Sequence, residues 1–185
     1  MPPTTIMLIR HGEKQDQPPP CGVNAAGDQD KHSLTARGWQ RAGALVTYFR
    51  WPRVEGIVSP TAIFASAVGG QAILIDGEDA SKSLRPQQTV TPLAAALALD
   101  VNTDWTVGQE SNLAAVIRGL PGAVLVAWEH KHIPLIGTQF SPDVPAMWPD
   151  GAFDVVWVLT YSNGSYAFEQ RYQSLLAGDT TASGG

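Results

Sequence analysis

The sequence predicts an α/β sandwich, and three observations lead there. Short β-rich apolar segments alternate with helical segments along the chain. Two of them, residues 4–9 and 123–128, are continuous apolar runs of the kind a sheet buries on both faces. Turn chemistry separates the segments, notably Pro121-Gly122 before the second run and Ser162-Asn163-Gly164 between two β-rich stretches. With 185 residues, 44% of them hydrophobic and 16% charged, the chain can bury a sizeable core, and one domain over residues 1–177 is expected.

Residues 4–9 form the first strand, which stops at Arg10-His11-Gly12. Residues 14–31 hold Pro18-Pro19-Pro20 with Gly, Asn and Asp, which is loop composition, and long loops are often functional. Ser33 or Thr35 caps the next segment, a helix with Trp39, Ala42, Val46 and Phe49 at helical spacing. Residues 57–66 read as a second strand with an irregular start at Pro60, whereas residues 67–82, rich in Gly, Ala and charge, predict no particular element. Residues 83–91 form a short helix or turn, 92–99 a second helical piece and 100–103 a short strand. A helix over residues 109–120 puts Leu113, Val116, Ile117 and Leu120 on one face. Residues 123–128 are the buried strand that ends at Glu129-His130, and Pro134 suits the first turn of a further helix. Residues 153–161 and 166–172 pair as a hairpin, and residues 178–185 are expected to be a disordered tail.

A formal net charge of −5 argues against general attraction to nucleic acid or anionic membrane, while leaving room for a local cationic pocket. Cys21 is the only cysteine, so no internal disulfide forms, and without an activating neighbour it reads as a loop thiol. Ile6-Met7-Leu8-Ile9 is too short for a signal-peptide core and is interrupted by Arg10-His11. Nothing approaches the roughly 20 apolar residues of a membrane span, and the expectation is a cytoplasmic protein.

The chemistry gathers at two strand ends. Residues 4–9 run into Arg10-His11, and residues 123–128 run into Glu129-His130. Ligands of open α/β sheets bind outside the carboxyl ends of the strands. If these two strands are parallel and adjacent, both imidazoles project into one crevice.

Arg10-His11-Gly12-Glu13, directly after an apolar strand, resembles the signature of the histidine phosphatase superfamily, which includes the cofactor-dependent phosphoglycerate mutases. Leu34-Thr35-Ala36-Arg37-Gly38 is similar to that family's Leu-Thr-x-x-Gly helix start. The segment from Ser83 through Arg85 to Thr89 resembles its second-arginine segment, and Val124-Leu125-Val126-Ala127-Trp128-Glu129-His130 resembles the strand ending in its second histidine. The matches fall in the family's order. The resemblance implies a compact, phosphoglycerate mutase-like three-layer α/β/α sandwich with a mostly parallel central sheet. It also implies a phosphatase that needs no metal or other cofactor and acts on a small phosphorylated substrate or a phosphoprotein, with no nucleic acid or membrane partner. In that scheme His11 attacks phosphorus and carries it as phosphohistidine, His130 donates to a phosphoryl oxygen, and Arg10 and Arg85 hold the phosphate as planar cationic forks. Thr35, Gly38 and Thr89 read as fold-defining.

Two departures stand out. A leaving-group oxygen needs a proton. The mutase-like branch has a Glu after the second-arginine segment, where this chain has Leu93-Ala94-Ala95-Ala96-Leu97-Ala98; the acid-phosphatase branch has an Asp after the second histidine, where this chain has Lys131. Glu129 is the expected catalytic acid, with Glu13, Asp100 and Asp104 as weaker candidates; a substrate with a good leaving group would need none. Residues 14–31 and 67–82 look like insertions beside the pocket, where Lys14, Lys82 and Lys131 would extend the positive surface only if they face it. Two other readings share the fold: a non-catalytic phosphate-binding or scaffolding protein, and a phosphomutase, which the missing acid disfavours. A zinc site on His130 and His132 with Glu129 or Glu13 is a third, but Lys131 and two nearby arginines would repel a dication.

Overall fold

Strands with apolar residues on both faces need cover on both sides, and the central sheet obtains it from two pairs of helices. The computed structural model describes residues 1–15 and 20–180. Its elements are β1 (Thr5–Arg10), α1 (Ala36–Arg50), β2 (Ala62–Ala65), β3 (Leu74–Ile75), β4 (Glu78–Asp79), α2 (Arg85–Leu97), β5 (Val101–Asn102), α3 (Glu110–Ile117), β6 (Ala123–Trp128), α4 (Ile133–Gly137), β7 (Val155–Ser162) and β8 (Ser165–Tyr172). Six strands form one sheet in the order β5-β2-β6-β1-β7-β8; the first four are parallel, and β7 and β8 run antiparallel to their neighbours.

Side chains alternate between the sheet's faces. Met7, Ile9, Leu125 and Ala127 face Leu45 and Phe49 of α1 and Val90 and Leu93 of α2. Ile6, Leu8, Val124, Val126 and Trp128 face Leu113 and Ile117 of α3 and Ile133 and Ile136 of α4. The result is the three-layer arrangement with a mostly parallel sheet. Among the described residues no helix is long and apolar enough to cross a membrane.

Helix α1 begins where the capping residues stand: Thr35 Oγ1 accepts from Gly38 N at 3.2 Å and donates to Glu13 O at 3.1 Å. Gly38 lets the helix approach the chain after His11, since a Cβ there would lie 2.6 Å from Glu13 O. The β7–β8 hairpin turns at Asn163 (φ 51°) and Gly164 (φ 91°), both left-handed as a two-residue primed turn requires.

Several expectations need correction. The strand expected over residues 57–66 is confined to Ala62–Ala65, because Ile57 N–H already bonds to Val54 O in a turn and Pro60 offers no donor. The two helical pieces expected over 83–91 and 92–99 are one helix, α2: Pro86 sits in its first turn, and burial of Val90, Leu93 and Ala94 keeps it continuous past Pro92, which forgoes a hydrogen bond. The helix expected over 109–120 ends at Ile117. Residues 67–82 are not featureless, for β3 and β4 pair as a hairpin with Asp76-Gly77 at its tip.

The tail boundary at 177 is also too early. Asp179 accepts from Arg41 Nη2 at 2.7 Å, from Arg37 Nη2 at 3.2 Å and from the backbone N–H groups of Leu175 and Leu176. Residues 181–185 of the expected tail lie outside the described residues.

Burial works against the Asp179 charge, but Arg41 and the two backbone donors outweigh it and bring the carboxyl down to about 2. A depressed carboxylate stabilises the fold above its unfolded value and loses that contribution as pH falls through the folded one. Asp179→Asn should therefore flatten the stability loss between about pH 3.8 and 2, as read by acid unfolding. Gly38→Ala should cost about 1–3 kcal/mol by overpacking, measured in urea denaturation.

Candidate active site

Strands β1 and β6 pair in parallel with Arg10 opposite Trp128, and His11 N donates to Trp128 O at 3.2 Å. Arg10-His11 and Glu129-His130 thus leave the sheet side by side. His11 is buried, and its Nδ1 lies 2.7 Å from Gly12 O. A carbonyl can only accept, so Nδ1 carries the proton and Nε2 keeps its lone pair. Burial, then the charges of Arg10 and Arg85, hold the His11 pKa well below the ordinary imidazole value. Gly12 N donates to Thr89 Oγ1 at 2.8 Å, and that hydroxyl donates to Arg85 O at 2.7 Å. One threonine therefore ties the histidine loop to the start of α2.

Arg10 is buried with its guanidinium 4.0 Å from the centroid of the Phe153 ring, a cation–π contact that sets its plane. Arg10 Nε and Ser83 Oγ are buried without hydrogen-bond partners among the described residues. Arg85 is braced by Ser33 O (3.3 Å from Nε) and Lys31 O, and pairs with Glu78 Oε2 at 3.0 Å. Glu129 Oε1 lies against His130 Nδ1, which is buried without a hydrogen bond among the described residues, and Glu129 Oε2 accepts from Lys131 N at 2.7 Å. His130 Nε2 is 3.5 Å from Asp76 Oδ2.

These groups surround a cleft of about 460 Å³, lined by Arg10, Lys14, Asp76, His130, Lys131 and Phe153 among others. Adjoining it through Lys14 and Glu78, a narrow crevice is lined by His11, Ser83, Arg85 and Glu129 among others. All five residues expected at the site, Arg10, His11, Arg85, Glu129 and His130, are thus brought together. The other expected carboxylates are not. Glu13 turns away to accept from Arg41 Nη2 at 2.7 Å and Arg37 Nε at 3.0 Å, and Asp100 and Asp104 are exposed outside the cleft. His132 takes a separate partner, Glu110 Oε1 at 2.9 Å, whose hydrogen bond raises its pKa. Among the described residues the two histidines of the zinc reading thus share no carboxylate.

Sequence reasoning missed Asp76, Glu78 and Phe153. The hairpin signal for the first two was present as Asp76-Gly77, a turn dipeptide between short β-rich flanks. Phe153 is free to reach Arg10 because β7 starts at Val155 rather than at 153.

In sequence the chain matches no family model and no curated protein. Among solved structures, the protein histidine phosphatase SixA complexed with tungstate is similar at 14% identity, over 91% of this chain and 97% of that one, with a TM-score of 0.55. A phosphoglycerate mutase from Bacillus anthracis is similar at 13% identity over 91% and 92% of the two chains, with a TM-score of 0.49. The fold and the paired strand ends define an α/β/α protein with two histidines at one sheet edge. That fold is the one seen in the similar histidine phosphatase structure.

A pH titration of the His11 ring by NMR should show it neutral well into the acid range, its midpoint below the usual 6.5. Arg10→Met should move that midpoint upward, because one of the two neighbouring positive charges is lost.

Proposed function

We propose that the protein is a phosphatase that hydrolyses a phosphomonoester or a phosphorylated side chain through a phosphohistidine on His11. The observation that carries this reading is a buried neutral imidazole, its Nε2 unprotonated, set among Arg10, Arg85 and His130. A phosphoryl group in transfer spreads negative charge over its equatorial oxygens, so fixed donors around it supply most of the catalysis. Arg10, Arg85 and the His130 ring supply those donors. Ser83 Oγ, like Arg10 Nε buried without a partner among the described residues, adds one more. The similar histidine phosphatase was solved with tungstate, an oxyanion of phosphate-like shape, and the same class of ligand suits this cation set.

His11 Nε2 forms a bond to phosphorus as the bond to the leaving oxygen breaks, and water then displaces the imidazole to release inorganic phosphate. Glu129 is engaged by His130 and by Lys131 N, so it acts as the group that orients His130 rather than as the acid. The scheme calls on no metal. A second reading, phosphate binding without turnover, is favoured by one feature: Asp76 and Glu78 already face His130 and Arg85, and a phosphate must compete with them.

Hydrolysis of 4-nitrophenyl phosphate with chelator present separates the two. Turnover is expected to persist with chelator and vanish in His11→Ala. Arg85→Ala should lose on the order of 100-fold in kcat, the scale of removing one charge-stabilising donor. Phosphate binding without turnover of any phosphomonoester would establish the second reading.

A further inference from the structure

We propose that Asp76, at the tip of the β3–β4 hairpin, is the proton donor to the leaving group, the role the motif-bearing segments leave unfilled. The proposal rests on the phosphatase reading above.

The hairpin is built to place this side chain. Leu74 pairs with Asp79 and Ile75 with Glu78, leaving Asp76 and Gly77 as a two-residue turn with φ of 51° and 79°. Both values are left-handed, and Asp is among the few non-glycine residues that adopt that region readily. Ile75 is buried in the core, which pegs one strand of the hairpin. Asp79 accepts from Ser81 N at 3.1 Å and so caps the short helical turn Ala80–Lys82 that follows. Anchored on both sides, the tip delivers Asp76 into the cleft, with Oδ2 3.5 Å from His130 Nε2 and 3.7 Å from Lys14 Nζ, and Oδ1 on Lys131 Nζ.

In-line displacement requires the acid opposite the nucleophile. His11 lines one crevice with Arg85, whereas Asp76 lines the adjoining cleft with Arg10 and His130, so nucleophile and carboxyl belong to different compartments of one site. Glu78 is less suited, because it pairs with Arg85, a group that grips equatorial oxygens. Glu129 and Glu13 are engaged elsewhere.

Without substrate, the hydrogen bond from Lys131 and the charges of Lys131, Lys14 and His130 depress the Asp76 pKa. A bound phosphate dianion neutralises those cations and adds like charge beside the carboxyl, so proton uptake becomes favourable on binding. The carboxyl proton then passes to the leaving oxygen as its bond to phosphorus breaks and the His11 nitrogen–phosphorus bond forms. In the second half, water attacks phosphorus, its proton returns to the Asp76 carboxylate, and the nitrogen–phosphorus bond breaks. Protons and bonds balance over the cycle.

The test compares an alkyl phosphate, glycerol 2-phosphate, with 2,4-dinitrophenyl phosphate, whose leaving group departs as a stable anion. The full chain is used as wild type, Asp76→Asn, Asp76→Glu and Glu78→Gln. Asp76→Asn should lose on the order of 10²–10⁴-fold in kcat on the alkyl ester, far less on the dinitrophenyl ester, and still form the acid-labile adduct on His11. Asp76→Glu should recover part of the alkyl activity. Glu78→Gln should lower KM for both esters alike, by freeing Arg85. Equal loss on both esters, a gain in turnover in Asp76→Asn, or leaving-group dependence in Glu78→Gln instead would overturn the assignment while leaving the phosphatase intact. A wild type that neither turns over either ester nor labels His11 would sink the phosphatase reading, and this proposal with it.

Discussion

The parallel pairing of β1 with β6 is the constraint on which the rest of the molecule depends. Both strands are apolar on both faces, so alternation alone does not discriminate one register from the next. The polar ends do. Thr4 N bonds to Gly122 O where the pair begins, and His11 N bonds to Trp128 O where it closes. A slip by one residue would draw Arg10 deeper into the apolar layer or leave these backbone groups unpaired, and either cost exceeds what a displaced register could return. The register that satisfies them also sets both histidine-bearing ends at one edge of the sheet.

From that edge outward the site is a problem in charge. Arg10 and Arg85 come within reach of one buried imidazole and repel a second proton from it, while the Gly12 carbonyl holds its ring in one tautomer. So much positive charge in a half-enclosed space is costly unless it is answered. The answer comes from separate parts of the chain: Glu129 from β6, and Asp76 and Glu78 from the hairpin. The Phe153 ring covers one face of the Arg10 guanidinium, sparing it from water without neutralising it. The pocket is therefore balanced when empty, and an incoming anion exchanges with carboxylates that are already in place.

What could be read from the residues divides along physical lines. β1, β6 and the β7–β8 hairpin were legible because long apolar runs and an Asn-Gly turn leave few alternatives, and Arg10, His11, Arg85 and His130 stood beside such elements. Helix α2 was broken in two on paper because Pro92 is a local signal, while the burial of Val90 and Leu93 that overrides it is tertiary. The β3–β4 pair escaped because each strand has two residues, too few to show alternation. Asp76 escaped with it, since nothing local says which pocket a hairpin tip will enter. Asp179 was assigned to a loose tail because its partners, Arg37 and Arg41, lie more than a hundred positions away.

The strand order also bears on how the chain comes into being. β1 precedes both of its neighbours in the chain, and β6 and β7 begin only at residues 123 and 155. During synthesis Ile6-Met7-Leu8-Ile9 must wait, unpaired on either edge, until residues 123–128 and then 155–162 have emerged. Contacts this distant in sequence close slowly, and an exposed apolar strand is a template for association with other chains. The same centrality that makes β1 the keystone of the finished sheet leaves it exposed for longest among the apolar strands of the growing one.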